Sequence, residues 1–236
     1  MRAIGLSFRA ELPGLLRGDR GREAMEDTNR WRWLLYLAVI IVGAGLFGAA
    51  VGSWRAPLQS LYTALKLPVI MLLTSLGNAL LNAMLAPLFG VNLSLRQSLL
   101  AVMMSFTIAA AILGAFSPLL YFLIWNTPPL ATGASTNTSA HSLVLLCETG
   151  FIAFAGIAAN ARLLQLLREL SGSAGAARKV LFAWLAGNLL LGSQLAWNLR
   201  PFVGSPGLPV QFLRDDPFHG SFYEAIFRAL QHLFTP

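Results

Sequence analysis

The sequence predicts an all-α protein, a polytopic integral membrane bundle of about five transmembrane helices with amphipathic surface helices near both termini. Three observations carry that expectation. Charged residues make up only 11% of the 236, while the apolar set from Ala to Trp, Tyr and Cys reaches 56%. Soluble domains hold about 25% charged residues, so an ordinary soluble fold is excluded. Residues 97–147, 51 in all, contain no Asp, Glu, Lys or Arg, enough helix to cross a hydrocarbon core of about 30 Å twice. The basic residues flank apolar runs and are not gathered on one element with interleaved aromatics, as a nucleic-acid groove binder would need. The formal charge of +7 is therefore a topology signal. No nucleic acid is expected as a partner, and the basic tails favour anionic lipid.

Three divisions follow: residues 1–32 as a cytoplasmic tail, 33–204 as the five-span domain, and 205–236 as an external segment ending in an amphipathic helix. Residues 1–30 carry six arginines and too few consecutive apolar residues to span. Ile4, Phe8 and Leu12 with Leu15 and Leu16 could form the apolar side of a short interfacial helix, with Arg2, Arg9 and Glu11 opposite; a partly ordered tail is the alternative. The first long apolar run begins after residue 32 and lacks a small-residue cleavage pattern, so no signal peptide is expected.

The first span, 33–54, is bracketed by Trp31, Trp33 and Trp54, at the levels where indole rings sit in a bilayer. Gly48 and Gly52, four apart, let another helix approach closely, within the subunit or in a second copy. Residues 55–66, with Pro57, read as a short surface linker. In the second span, 67–89, Ser75, Asn78 and Asn82 share one face. They would either bond to neighbouring helices or line a polar path. Arg96 falls in the turn before the third span, 98–125, where Pro118 removes a backbone bond and predicts a kink. Residues 126–141 are rich in Pro, Ser, Thr, Gly and Asn and read as a loop.

The fourth span, 142–164, and the fifth, 180–199, flank a basic Ser/Gly/Ala turn. Five spans put the two termini on opposite sides. With the N-terminus inside, 12 Lys and Arg lie inside against 5 outside, which makes the N-terminus cytoplasmic and the C-terminus periplasmic or external. Only two of the 17 basic residues are lysine; with abundant Ala, Leu and Gly this suggests a bacterial inner membrane. Residues 201–220 are expected to pack on the outer surface of the bundle. Ser221-x-x-Glu224 then forms a capping box, starting a helix whose apolar stripe holds Phe222, Tyr223, Ile226, Phe227, Leu230, Leu233 and Phe234. That stripe suits a membrane surface or a partner protein.

Chemistry centres on Glu148, a carboxylate inside an apolar run that must be paired or protonated. Gln194 and Asn198 of the fifth span, with Arg200 just after it, reach the same level, and Arg200 is expected to converge on Glu148 if the two spans are neighbours. The pair would clasp the hairpin; a proton or cation site is the other reading. His141, Cys147 and Glu148 do not make a metal site, because two ligands on one helix face lack a third. The single cysteine permits no internal disulfide. Recognisable catalytic motifs are missing, and no catalytic residue or cofactor is expected. The leading expectation is a non-enzymatic accessory, scaffold or assembly subunit, partnered by the lipid bilayer and by other membrane subunits or further copies of itself. The rival is a small transporter or channel with a polar path through Glu148, Asn78, Asn82, Asn188 and Gln194. A membrane-embedded lipid-modifying enzyme comes third.

Overall fold

Five helices, each long and apolar enough to cross a membrane, account for most of the chain. The computed structural model describes residue 14 and residues 30–91, 94–128, 138–204 and 209–224, without the side chains of 138–142. Helix α1 spans Arg30–Ser53, α2 Pro57–Leu85 with a 3-10 turn at Ala86–Phe89, α3 Leu95–Trp125, α4 Thr138–Ser171 and α5 Ala174–Asn198. No strand occurs among the described residues. The interfacial helix expected near the N-terminus lies outside them.

Helix ends explain where the boundaries fall. Ala56 is extended and Pro57 occupies the first turn of α2, a position for which proline is pre-organised and where its missing N–H costs nothing. The expected linker 55–66 is therefore corrected: from Pro57 onward it is helix, continuous with the second span. Ser94 caps α3: its hydroxyl accepts from the Gln97 amide while the Gln97 side chain accepts from the Ser94 amide. This capping box puts Arg96 inside the first helical turn and not ahead of it. Helix α4 begins at Thr138, within the stretch expected to be loop, and passes to α5 through Gly172 and Ser173 alone. Gly172 has φ +62, which glycine adopts without a Cβ penalty, and Ser173 caps α5 by accepting from the Ala176 amide.

Helix α1 lies against both α2 and α3, which also touch each other; α4 packs on α3, α5 on α2, and α4 on α5. Small residues make the α1 contacts close. A Cβ at Gly48 would sit 2.5 Å from the Thr63 carbonyl oxygen, one at Gly52 would collide with the Gln59 carbonyl, and one at Gly43 with the Ala110 carbonyl of α3. The glycines thus seat α1 within its own subunit.

The α4–α5 hairpin is open at one end. Near its turn, Leu163, Leu166 and Leu167 share a core cluster with Ala177, Val180 and Trp184. Toward the start of α4, Val144 and Ala155 instead join Phe47 of α1 and Leu113 and Leu120 of α3. Two long-range bonds fix which ends coincide: the Trp54 indole N–H donates to the Pro128 carbonyl (3.2 Å), and the Gln59 amide donates to the Pro201 carbonyl (2.9 Å). The ends of α1, α3 and α5 and the start of α2 therefore meet, here called the Trp54 end, opposite Arg30.

Beyond α5 the chain turns back along that helix. The Trp197 indole donates to the His219 carbonyl (3.2 Å), and the Tyr223 hydroxyl donates to the Leu189 carbonyl (2.9 Å). Residues 222–224 are helical, and the Glu224 amide donates to the Ser221 hydroxyl at 3.1 Å. The remainder of the expected stripe, Ile226, Phe227, Leu230, Leu233 and Phe234, lies outside the described residues.

Candidate functional site

Helix α2 carries one polar stripe along most of its length: Gln59, Thr63, Lys66, Thr74, Ser75, Asn78 and Asn82, all buried. Apart from the adjacent pair Thr74 and Ser75, steps of three, four and eight residues keep them toward one side of the helix. The stripe divides into three parts with different surroundings.

At the Trp54 end it forms a clasp. The Gln59 amide donates to the carbonyls of Pro201 (2.9 Å) and Phe202 (2.8 Å), the Thr63 hydroxyl to Phe202 (2.8 Å), and the Lys66 ammonium to Pro201 (2.8 Å). Each carbonyl thus receives two donors. Lys66 is only 1% exposed; its Nζ lies 4.8 Å from the Phe212 ring centroid and 5.6 Å from that of Phe202. Ring faces attract a cation electrostatically, and the attraction grows when water is excluded. Tyr62 meets Phe212 edge-on at 5.3 Å, so the segment after α5 is gripped from both sides. Above it, a cavity of about 410 Å³ is lined by Arg200, Gln211, Arg214, Asp215, Asp216 and His219. Its walls carry both signs of charge.

In the middle of α2, Thr74 is buried and its hydroxyl has no hydrogen-bond partner. It faces a second cavity, about 280 Å³, to which all five helices contribute and which is lined mainly by apolar side chains. Toward the Arg30 end, the Asn78 amide donates to the Asn188 side-chain oxygen (2.7 Å) and weakly to the Trp184 carbonyl (3.4 Å), tying α2 to α5. Gly187 makes room, since a Cβ there would come within 2.6 Å of the Asn78 oxygen. Ser75 donates back to the Met71 carbonyl at 2.6 Å, while both side-chain polar atoms of Asn82 are buried without a partner.

The residues expected to gather around Glu148 do not form one cluster. Glu148 is buried on the same stripe of α4 as Val144 and Ala155, on the side that packs against α3, where Phe151 stacks on Phe116 at 4.7 Å. Its Oε1 has no hydrogen-bond partner. Arg200 instead lies over the Trp197 ring at 3.9 Å and donates to the Trp197 carbonyl at 2.8 Å. Gln194 donates to Asn198 at 3.1 Å. The expected Glu148–Arg200 pair is absent because the hairpin opens toward this end and Arg200 folds onto the last turn of its own helix. Among the described residues no group of three or more His, Cys, Asp and Glu is placed to hold a metal.

Sequence reasoning missed Gln59, Thr63, Lys66 and Thr74. A signal existed: residues 59, 63 and 66 have the spacing of one helical face, and Pro57 is a helix start as readily as a break. No protein-family model, curated protein or solved structure matches this chain.

Proposed function

We propose that this chain is a non-enzymatic accessory subunit of a membrane protein complex, spanning the bilayer five times, with its partner-bearing face at the Trp54 end. The observation that carries the reading is the clasp. The polar residues that would form the mouth of a path along α2 are spent on four hydrogen bonds to the carbonyls of Pro201 and Phe202. They close that end with protein and hold in place a segment carrying Phe212, Phe218, Phe222 and Tyr223, all exposed. Aromatic side chains fixed at a surface are the usual anchors of an interface. The asymmetry of basic residues supports a cytoplasmic Arg30 end, and the scarcity of lysine with abundant Ala, Leu and Gly supports a bacterial inner membrane.

Deletion of 221–236 tests the subunit role. In gentle detergent the full chain should bring partner subunits with it, and the truncated chain should lose them; a complex that purifies intact without the segment overturns the proposal.

A second reading, a small proton-coupled carrier, is favoured by the unpartnered carboxyl oxygen of Glu148. In that case Glu148→Gln abolishes the pH dependence of flux, and unchanged pH-dependent flux removes the idea.

A further inference from the structure

The cavity beside Thr74 has the chemistry of a binding site. Its lining contains no charged residue, and among mainly apolar side chains it places four neutral polar ones: Thr74, Ser105, Asn160 and Asn188. Several of their bonding positions are unused within the described residues. The Thr74 hydroxyl is buried without a partner. Asn188 uses its oxygen to accept from Asn78, leaving its NH₂ unspent, while Asn160 uses its NH₂ on the Gly156 carbonyl, leaving its oxygen. A buried hydroxyl without a partner opposes folding, so a ligand that satisfies it gains by doing so.

The cavity is also reachable from the side. Ile152, on its rim, is 51% exposed, and α4 and α5 diverge here. Glycine keeps the space clear: a Cβ on Gly156 would meet no atom within 4 Å, and one on Gly192 would rest 3.7 Å from the Thr74 hydroxyl oxygen. Thr74 stands 17 residues into α2, roughly 25 Å along it, near the middle of a spanning helix and far from headgroup level.

We infer that this cavity binds a neutral, membrane-soluble molecule with an apolar body and one or two hydrogen-bonding oxygens, entering from the bilayer between α4 and α5. A charged headgroup is excluded by the uncharged walls and the depth. A pure hydrocarbon would leave the Thr74 hydroxyl unsatisfied. The inference rests on the membrane-spanning reading but not on the accessory role.

The test uses the full chain in nanodiscs with a diazirine-bearing long-chain alcohol as photoprobe. Crosslinks should map to the cavity lining around Thr74, Gly156 and Gly192, and unlabelled long-chain alcohol should compete far better than an alkane of equal length or phosphatidylcholine. Gly156→Phe should fill the space and cut cavity labelling at least tenfold. Thr74→Val, which keeps the shape and removes the hydroxyl, should weaken competition roughly fivefold, the loss of one hydrogen bond. Undiminished labelling in Gly156→Phe, equal competition by alkane, or labels spread evenly over outward residues such as Phe182 and Leu189 would each overturn it. Retention of the unmodified chain in membranes after alkaline carbonate extraction reads the membrane-spanning assignment separately.

Discussion

At the scale of single residues, the clasp makes an ordered set of predictions. Gln59 supplies a donor to both carbonyls, whereas Thr63 serves only Phe202 and Lys66 only Pro201. Each bond contributes about 1 kcal/mol net. Gln59→Leu should therefore lower stability in detergent by about 2 kcal/mol and Thr63→Val by about half as much, measured by thermal unfolding. Amide exchange at 202–204 should rise in the same order, and equal effects would mean that the carbonyls are not shared as described. Lys66→Met should be tolerated better than Gln59→Leu. It removes one donor but also removes a buried charge, whose desolvation opposes folding. The sequence carries the shared face of residues 59, 63 and 66 but not what they bond to, because the acceptors lie about 140 positions away and a backbone carbonyl leaves no mark in the amino-acid code.

At the scale of elements, the helices show how irregular sequence is absorbed. Pro118 lies inside α3 and has no N–H to offer the carbonyl four residues back, at Gly114. The Ser117 hydroxyl donates to that same carbonyl at 2.7 Å, the side-chain repair that lets a proline persist in an apolar helix. Ser117→Ala alone should destabilise by about 1 kcal/mol. In the Pro118→Ala background the same change should cost little, because alanine at that position restores the backbone donor; additive losses in that double-mutant cycle would refute the repair. The α1–α2 contact gives a second contrast. Gly48→Ala should cost about 1–3 kcal/mol, since its Cβ meets backbone that cannot yield. Gly45→Ala should be nearly silent, its Cβ falling an ordinary 3.5 Å from the Ala64 oxygen. Unfolding midpoints of the two variants decide it. Spacing in the sequence pointed to Gly48 and Gly52 as contact residues; only the fold identified Thr63 and Gln59 as what they touch.

At the scale of the whole molecule, five helices of alternating direction set residue 96 and residue 216 at opposite ends. With Cys147 replaced by Ser, cysteines introduced as Arg96→Cys and Asp216→Cys should react with an impermeant maleimide from opposite faces of sealed vesicles. Labelling from the same face would refute the five-pass arrangement. The bundle is also uneven: α1, α2 and α3 form a close-packed group, while α4 and α5 are much less buried and part to leave the cavity. Exposure of that kind suits lipid contact, where apolar side chains need no protein cover.

The amino-acid order by itself determined the five apolar helices and the alternation of their directions, though not where each helix begins, because length and hydrophobicity act locally and survive translation into a list of residues. Tertiary structure alone decided that the start of α2 clasps the segment after α5, that Glu148 turns toward α3 and away from Arg200, and that a space remains beside Thr74. Each of these depends on which side of one helix meets which side of another. Helices that are apolar on most sides have little contrast between inner and outer faces to announce that choice.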